Sequence, residues 1–324
     1  MQIQILDGTL RDGGYVNNWN FGERNIDFLV ASLVASGIDI IELGFFKPQG
    51  KLASTLFDGI LCGDNCIKKY LKLYPNQTFA MMMNVGELKD YEFIKKQNQA
   101  NLFIRLAFRK NVLPEALSIA QDLVDCGVRV SLNPMFTNSY TESELKSLVN
   151  DINIIKPYAI SIVDTAGAFT KKELLKVASF FDKSLDVSIG LGFHSHNNLN
   201  LSLENSLELL KIKSDRCLIL DSCVAGMGRG AGNLDTYQIA QKIGGYKLSL
   251  IKEVEKKVVK QIYKSTPWGI TNALYYSAKF GCHPDYGMSL DKSFSSVSKI
   301  KKILQKLPDS IKYKYDKSFL ELNS

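Results

Sequence analysis

Eight short apolar runs recur along the first 220 residues, and they limit the possible folds more than any other feature of the sequence. They lie at 3–6, 38–43, 79–83, 102–107, 128–132, 159–163, 187–193 and 217–220. The runs are rich in Ile, Leu, Val, Phe and Met and do not alternate with polar residues, which is typical of strands buried on both faces. Stretches with helical spacing separate them, at 25–36, 114–126, 142–155, 171–181 and 201–210. Strand and helix therefore alternate in βα units.

The boundaries of these stretches carry helix signals. Gly37 and Gly127 stand where a helix would end in a left-handed residue before the next strand. Two capping boxes are predicted, Thr141 with Glu144 and Thr170 with Glu173. A doubly wound open sheet is the competing fold, but it would usually carry a phosphate-binding glycine loop after the first strand, and residues 7–12 (DGTLRD) do not form one. We therefore predict a closed (β/α)8 barrel.

Length and charge indicate a small addition to that barrel. The chain has 324 residues, and such barrels need about 250. Beyond Gly244 and Gly245 the sequence turns to lysine-rich helical stretches near 248–264, 271–280 and 296–307, broken by Pro267, Pro284 and Pro308. We predict a catalytic barrel over residues 1–245 and a helical region packed on it over residues 246–324.

Composition narrows the functional class. Hydrophobic residues make up 45% of the chain and charged residues 23%, as in ordinary globular enzymes. The net charge of +7 comes largely from late lysines without interleaved recognition motifs, so we expect a solvated helix face and no nucleic-acid partner. No leader or membrane span is recognisable, and the six cysteines match no zinc spacing. A cytoplasmic enzyme with reduced, mostly buried thiols and no membrane partner is expected.

Four polar segments follow predicted strands, and in a barrel of this type such segments meet at one face. They are 7–14 (DGTLRDGG), 164–167 (DTAG), 192–198 (GFHSHNN) and 226–233 (GMGRGAGN). The first, seventh and eighth strands are neighbours in a closed barrel, so we expect three of these segments to converge on one site. The glycines of the last segment would let the backbone pass close to a metal or substrate.

Two histidines and one aspartate in these segments predict a metal site. His194 and His196 are separated by one residue on a strand, so both imidazoles point the same way. With the carboxylate of Asp12 they form a two-histidine, one-carboxylate set that leaves coordination positions open for substrate. Asn233 is a further candidate ligand, with the N-cap of the following helix as the alternative reading.

Arg11 stands beside the predicted ligand Asp12. Its guanidinium and the metal would together hold an enolate oxygen as charge develops there. An ion pair with Glu42, at the end of the second run, is the other expectation for Arg11, and we group Glu42 with the predicted substrate-binding residues.

These motifs make the chain resemble the DRE-TIM metallolyase superfamily, and within it the 4-hydroxy-2-oxovalerate aldolase branch. The resemblance rests on LRDG at 10–13, DTAGA at 164–168, HSHNNL at 194–199 and GMGRGAGN at 226–233, and it covers residues 1 to about 240. It implies Mn²⁺, with Mg²⁺, Co²⁺ or Zn²⁺ as alternatives, held by Asp12, His194 and His196. It also implies a pyruvate-type 2-oxo acid, an enolate carried by Arg11, and Thr165 near the substrate carboxylate.

The sequence departs from that branch at the acid or base. Members of the branch carry a histidine three residues after the metal aspartate, where this chain has Tyr15. We therefore expect Tyr15, His283 or a water to transfer the proton. The polar and aromatic loop 13–19 suggests a hydroxylated or sugar-like aldehyde.

Alternative functions remain open at this point. One is a Claisen-type acyl-CoA lyase or synthase, although segment 226–233 lacks the lyase's cysteine and Cys223 only precedes it. Another is a non-catalytic partner subunit, against which the retained Arg11, Asp12 and histidines argue. The resemblance allows an aldehyde dehydrogenase as partner, and we expect the shorter, lysine-rich C-terminal region to serve a homodimer contact instead.

Overall fold

Eight parallel strands form a closed barrel in the computed structural model, which describes residues 2–46, 64–87, 90–293 and 296–323. The strands are β1 (Ile3–Asp7), β2 (Ile40–Phe46), β3 (Thr78–Asn84), β4 (Leu102–Phe108), β5 (Arg129–Pro134), β6 (Ala159–Asp164), β7 (Gly190–Ser195) and β8 (Leu218–Ser222). Each strand pairs with the next along the chain, and β8 pairs with β1 to close the barrel. The predicted (β/α)8 barrel is confirmed.

Helices surround the barrel and continue beyond it. Those up to the last strand are α1 (Gly14–Asn17), α2 (Glu23–Ser36), α3 (Asp64–Leu73), α4 (Glu92–Lys95), α5 (Leu113–Asp125), α6 (Glu142–Ile155), α7 (Lys171–Ser184) and α8 (Ser202–Leu209). Those after it are α9 (Thr236–Ile243), α10 (Leu248–Val254), α11 (Lys260–Ser265), α12 (Asn272–Lys279), α13 (Pro284–Lys292), α14 (Val297–Gln305), α15 (Asp309–Lys312) and α16 (Lys317–Asn323). A π-helical turn, Glu255–Val259, joins α10 to α11.

The strands reach further toward the site than the apolar runs indicated. Asp7 ends β1, Asp164 ends β6 and Ser222 ends β8, and all three are buried. A polar residue therefore marks the end of an apolar run, but the backbone pairing of the strand continues beyond that run. The seventh run was predicted to begin at Val187, but that side chain is exposed and β7 begins at Gly190.

Local capping agrees with the sequence signals. Thr141 and Thr170 each accept a hydrogen bond from the backbone three residues on, and both capping boxes are complete. Gly37 ends α2 with a φ of 88°, a conformation that side chains with a Cβ rarely adopt. Pro284 follows the end of α12 and occupies the first position of α13, where the missing N–H would have no intrahelical partner.

The region after residue 245 divides between two cores. Ile251, Val254 and Val258 belong to the same hydrophobic cluster as the barrel, and α10 packs on α2. From α12 onward, a separate cluster includes Cys282 and Tyr286. The predicted boundary at residue 245 is not a boundary between these cores, and the division into two domains stays a prediction.

The cysteines and helices bear on two further expectations. Of the cysteines whose side chains the structure describes, Cys126 is exposed, Cys217 is half-buried, and Cys223 and Cys282 are buried; all four are free thiols. Cys62 and the side chain of Cys66 lie outside the described residues. None of the described helices combines the length and apolar composition needed to cross a bilayer.

Candidate active site

The turn that follows β1 places an arginine and an aspartate at the C-terminal mouth of the barrel. Backbone N–H groups of Arg11 and Asp12 both donate to the carbonyl of Gly8, at 2.9 and 2.8 Å, which folds the turn tightly. Glycine is needed next, because a Cβ on Gly13 would lie 2.3 Å from the Thr9 carbonyl oxygen. The sequence DGTLRDGG therefore forms a compact loop that aims both charged side chains into the barrel.

Asp12, His194 and His196 converge in this mouth. The Oδ2 atom of Asp12 lies 2.9 Å from Nε2 of His194 and 3.7 Å from Nε2 of His196. One ligand atom from each residue lies within 4.8 Å of the other two. Ligands that sit about 2.1 Å from a cation, at right angles to each other, are about 3 Å apart. The observed separations fit a shared divalent ion.

The charge of Asp12 supports this fit. Its Oδ2 is buried between Nε2 of His194 at 2.9 Å and Nη1 of Arg11 at 3.3 Å, as a buried carboxylate requires groups that stabilise its charge. Burial alone would raise the pKa of Asp12, but Arg11 and the two imidazoles outweigh it and hold that pKa well below its usual range. An ionised carboxylate facing two imidazole nitrogens is what a divalent cation requires.

The outer nitrogens of both imidazoles face oxygen atoms. Nδ1 of His196 lies 3.0 Å from the backbone carbonyl of Asp164, and Nδ1 of His194 lies 3.0 Å from Oδ2 of Asp221. A proton placed on Nδ1 by such an acceptor leaves Nε2 with its lone pair toward Asp12. Burial lowers the pKa of His196 to about 4, so that ring is neutral at pH 7, as a ligand must be.

A buried network of ion pairs fixes Arg11. Its Nε donates to Oε2 of Glu42 at 2.7 Å, and Arg105 Nη1 donates to the same oxygen at 3.0 Å. Arg105 also contacts Asp221 closely and donates to Oδ1 of Asn133 at 3.0 Å. Because Asp221 in turn faces His194, the chain of contacts joins the arginine of the first loop to a ligand of the predicted metal. The predicted Arg11–Glu42 pair is confirmed.

Trp19 holds the first loop from behind. Its indole N–H donates to the Arg11 carbonyl at 2.8 Å, and its ring packs against those of Tyr15 and Phe45. Trp19 is buried, so it supports the site from beneath. Loop 13–19 was expected to recognise a sugar-like aldehyde at the mouth. Because Trp19 is buried, Tyr15 is the aromatic residue of the loop that remains for that predicted role.

A narrow cavity of about 90 Å³ lies above the three predicted ligands. Six predicted site residues line it: Arg11, Asp12, Tyr15, Thr165, His194 and His196. Thr165 Oγ1 accepts a hydrogen bond from the Phe136 backbone N–H at 2.8 Å, which leaves its own hydroxyl proton for a ligand. Burial raises the pKa of Tyr15, with the Asp12 charge in the same direction, so its hydroxyl is protonated near neutral pH.

Glu42 and His283 were predicted in the site and lie outside this cavity. Glu42 is fully buried beneath Arg11 as its ion-pair partner, and its role in substrate binding stays a prediction. His283 caps α13, where its Nδ1 accepts from the Asp285 backbone N–H at 3.3 Å, and it lines a neighbouring cavity. Its position follows from the start of α13, which the sequence reading missed.

Asn233 lies beside the predicted ligands without lining their cavity. Its backbone forms a bridge with His196, its Nδ2 donates to the Met227 carbonyl at 3.0 Å, and its Oδ1 is buried with no hydrogen-bond partner among the described residues. A Cβ on Gly228 would lie 2.0 Å from that Nδ2, so glycine is required there. The alternative role as a helix N-cap is wrong, because Asp235 caps α9.

The sequence reading missed four polar residues of the site: Asn84, Arg105, Asn133 and Asp221. Asn84, Arg105 and Asn133 line the cavity, and Asp221 lies behind His194. Each stands in a strand whose other residues are mostly apolar, such as Arg105 in LFIRLAF and Asp221 in LILDS. A single polar residue in a strand buried on both faces must find a polar partner, and that signal was available in the sequence.

Comparison with known proteins agrees with this geometry. The family model described as HMGL-like matches residues 97–264, just over half of the chain. A 4-hydroxy-2-oxovalerate aldolase from Carboxydothermus hydrogenoformans is 26% identical over 272 residues, which are 80% of this chain and 77% of the relative. An oxaloacetate decarboxylase from Mycobacterium tuberculosis is 25% identical over 235 residues, which are 71% of this chain and 66% of the relative.

Solved structures share the fold. The N-terminal domain of a candidate aldolase from Bacteroides vulgatus superposes with a TM-score of 0.78 at 23% identity, covering 91% of this chain and 97% of that domain. An HMG-CoA lyase from Acinetobacter baumannii superposes with a TM-score of 0.63 at 17% identity, covering 82% and 93%. The chain belongs to the HMGL-like family and is a carbon–carbon lyase of the DRE-TIM superfamily.

Proposed function

We propose that this protein is a divalent-metal-dependent aldolase that joins a pyruvate-type 2-oxo acid to an aldehyde or cleaves the product. The observation that carries the proposal is the buried Asp12 carboxylate, whose Oδ2 faces Nε2 of His194 at 2.9 Å and Nε2 of His196 at 3.7 Å. The relatives named 4-hydroxy-2-oxovalerate aldolase support the same reaction class. Mn²⁺ is our proposed ion, since imidazole and carboxylate ligands suit a borderline cation.

Asp12, His194 and His196 would hold the cation, with Asn233 as a further candidate ligand. When bound, a divalent cation supplies Lewis-acid polarisation to the ketone and carboxylate oxygens of the 2-oxo acid. Arg11 lies 3.3 Å from Asp12 Oδ2, so its guanidinium is placed to donate to the enolate oxygen. Thr165 presents a free hydroxyl proton for the substrate carboxylate.

Charge balance in the site favours an anionic substrate. The buried network contains two guanidinium groups, Arg11 and Arg105, and three carboxylates, Asp12, Glu42 and Asp221. Burial lowers the pKa of His194, but its contacts with Asp12 and Asp221 outweigh burial and raise that pKa. A cation held by Nε2 requires the ring to be neutral, and with a divalent cation and two neutral imidazoles this set would have one excess positive charge. A 2-oxo acid carboxylate would neutralise that charge, which is how buried charges are stabilised.

Tyr15 is our proposed proton donor. In the direction of synthesis, the methyl carbon of pyruvate loses a proton to water and bonds to the aldehyde carbon. The aldehyde oxygen becomes an alkoxide that takes a proton from the Tyr15 hydroxyl, and the proton held by water then returns to Tyr15. The raised pKa of Tyr15 suits an acid and not a base. We drop His283 from this role because it lines a different cavity.

Decarboxylation of a 2-oxo diacid is a second candidate, favoured by one observation. Among the described residues that line the cavity, Asp12, His194 and His196 are the only carboxylate and imidazole groups, so no side-chain base remains once they hold a cation. Loss of CO₂ produces the same enolate without a base and then needs only an acid. One relative is named oxaloacetate decarboxylase.

Cys223 argues against a thiol-dependent acyl-CoA reaction. It is buried, and burial raises the pKa of its thiol well above the usual value, with the Asp12 and Asp7 charges in the same direction. Its sulfur accepts from Asn233 Nδ2 at 3.4 Å. A thiol held in this neutral state would be a poor acid–base or nucleophilic group.

A metal-dependent assay tests the proposal. Purified protein with Mn²⁺ and pyruvate should exchange the C3 protons of pyruvate with deuterated water, and added aldehydes should give aldol products detected by mass spectrometry. The Arg11→Lys variant keeps the positive charge but loses the planar guanidinium, so it should lower kcat by about 10²- to 10³-fold with the metal still bound. His194→Ala should lose the metal. Product formation from acetyl-CoA without pyruvate would reject the proposal.

The two candidates separate in the same assay. An aldolase forms product from pyruvate and aldehyde, whereas a dedicated decarboxylase releases pyruvate and CO₂ from oxaloacetate and leaves aldehydes unchanged. Tyr15→Phe should slow protonation in either reaction by about 10²- to 10⁴-fold. Unchanged rates in Tyr15→Phe would assign the proton to water.

A further inference from the structure

A larger cavity of about 900 Å³ lies beside the metal cavity and shares Met135 and Arg229 with it. One wall comes from the loops that follow β4 and β5, and the other comes from residues 309–315 of the C-terminal region. The two cavities also adjoin along the chain, since Ala107 of β4 lines the first and Arg109, just after β4, lines the second. A substrate too long for the metal cavity would therefore extend into this space.

The charged side chains of the larger cavity are not balanced within the protein. Arg229 is paired closely with Asp285, and Lys110 donates to Oε2 of Glu144 at 2.8 Å. Asp309, the other carboxylate that lines the cavity, is exposed and lies 4.0 Å from Nζ of Lys312. Arg109 has no carboxylate within 4.0 Å among the described residues, although it is half-buried. A guanidinium removed from water without a carboxylate partner is costly, and an external anion would compensate it.

Contacts with the protein hold Arg109 in place and leave part of its fork free. Its Nη1 donates to the Tyr313 carbonyl at 2.6 Å, and its Nη2 lies 3.3 Å from Nε2 of His283. The guanidinium also stacks over Phe136, with its carbon 5.5 Å from the ring centroid. A guanidinium has five N–H donors, so donors remain for a bidentate contact to a carboxylate or phosphate.

We propose that this cavity binds an anionic group on the aldehyde substrate, with Arg109 as its main contact. The inference rests on the proposed aldolase function and specifies its second substrate as an aldehyde that carries a carboxylate or a phosphate. Lys314, exposed at the rim, adds a second positive charge. The proposal gives the C-terminal region a role, because Tyr313 and His283 from that region orient Arg109.

Matched pairs of aldehydes test the proposal. Butanal and succinic semialdehyde differ by a terminal carboxylate, and glyceraldehyde and glyceraldehyde 3-phosphate differ by a phosphate. With pyruvate and Mn²⁺, the charged member of at least one pair should react with a kcat/KM about 10- to 100-fold higher, the range expected for a charge-assisted contact. The pair that shows the larger ratio distinguishes a carboxylate from a phosphate.

Four variants assign the effect to its residue. Arg109→Gln should reduce the ratio within the preferred pair about tenfold, mainly through KM, and Arg109→Lys should restore part of it. Lys314→Gln changes an exposed residue and should leave the fold intact. It should reduce the ratio by a smaller factor than Arg109→Gln does, and the remaining ratio should depend more strongly on Arg109. Arg24→Gln removes the same charge from the exposed face of α2 and should leave the ratio unchanged.

Calorimetric titration with inorganic phosphate measures the anion contact without turnover. Phosphate should bind Arg109→Gln more weakly than wild type or Arg24→Gln by about tenfold, while any phosphate at the metal site contributes equally to all three proteins. Loss of pyruvate proton exchange would count against the proposed function alone. Equal kcat/KM values within both pairs, or equal phosphate affinity in all three proteins, would overturn the anion site.

Discussion

Asp221→Asn tests whether the carboxylate behind His194 sets the affinity for the metal. Asp221 Oδ2 contacts Arg105 closely and lies 3.0 Å from His194 Nδ1, while its Oδ1 is buried without a hydrogen-bond partner among the described residues. An asparagine can place its oxygen where Oδ2 was, so both contacts keep an acceptor. What is lost is the negative charge that makes the imidazole a stronger ligand.

The expected effect follows from that loss. Removing an outer partner of a ligating histidine typically weakens metal binding by about 10- to 100-fold, or about 1.4 to 2.7 kcal/mol. Competition between the protein and a fluorescent chelator for Mn²⁺ measures the affinity, and thermal unfolding of the metal-free protein measures stability. We expect the chelator to remove Mn²⁺ from Asp221→Asn at a concentration about 10- to 100-fold lower than it needs with wild type.

Asp182→Asn is the matched control. Asp182 also pairs with an arginine, since Arg216 Nε donates to its Oδ1 at 2.9 Å, but neither residue lines the metal cavity. Both variants weaken an arginine–carboxylate pair, so both should lose stability, whereas only Asp221→Asn should lose metal affinity. Equal metal affinity in wild type and both variants would refute the role of Asp221.

Two further predictions concern Asp7, at the end of β1, and Gly14, at the start of α1. Burial raises the pKa of Asp7 to about 6 from a usual 3.8, so protonated Asp7 stabilises the fold below pH 4 and this stabilisation is lost as the pH rises through 6. Between pH 4 and 8, the free energy of unfolding should therefore fall by about 3 kcal/mol less in Asp7→Asn than in wild type, as measured by chemical denaturation. Parallel curves of unfolding free energy against pH for the two proteins would contradict this. In Gly14→Ala, the new Cβ would meet Trp19 at 2.0 Å and disturb its bond to the Arg11 carbonyl, so melting should show about 1 to 3 kcal/mol of destabilisation and kinetics a lower kcat. Normal kcat in that variant would show that Trp19 does not position Arg11.

Much of the fold was predictable from the sequence because a barrel strand must be apolar on both faces. The eight runs predicted eight strands, and the position of each polar segment after a run placed Asp12, His194 and His196 at one face. Strand ends were less predictable, since Asp7 and Asp164 continue the backbone ladder although their side chains are polar. Backbone pairing in a sheet does not depend on the polarity of the side chains, so the apolar pattern predicts strand ends that lie before the observed ones.

The rest of the site depended on contacts between distant parts of the chain. Arg105 and Asp221 are 116 residues apart, and only the closed barrel brings them together behind His194. His283 was predicted from its residue type alone, but the start of α13 places it beside Arg109, in the neighbouring cavity. The residue type of His283 indicates which reactions it could take part in, whereas the packing of the C-terminal helices determines which cavity it lines.

Anomalous diffraction from crystals grown with Mn²⁺ is the most direct test of the metal site. We expect one anomalous peak within about 2.0 to 2.3 Å of Asp12 Oδ2 and of Nε2 of both His194 and His196. The peak should disappear in His194→Ala crystals grown under the same conditions. A peak bound elsewhere, or density that shows these three side chains bonded to one another with no ion between them, would contradict the proposed metal site and the enolate chemistry that depends on it.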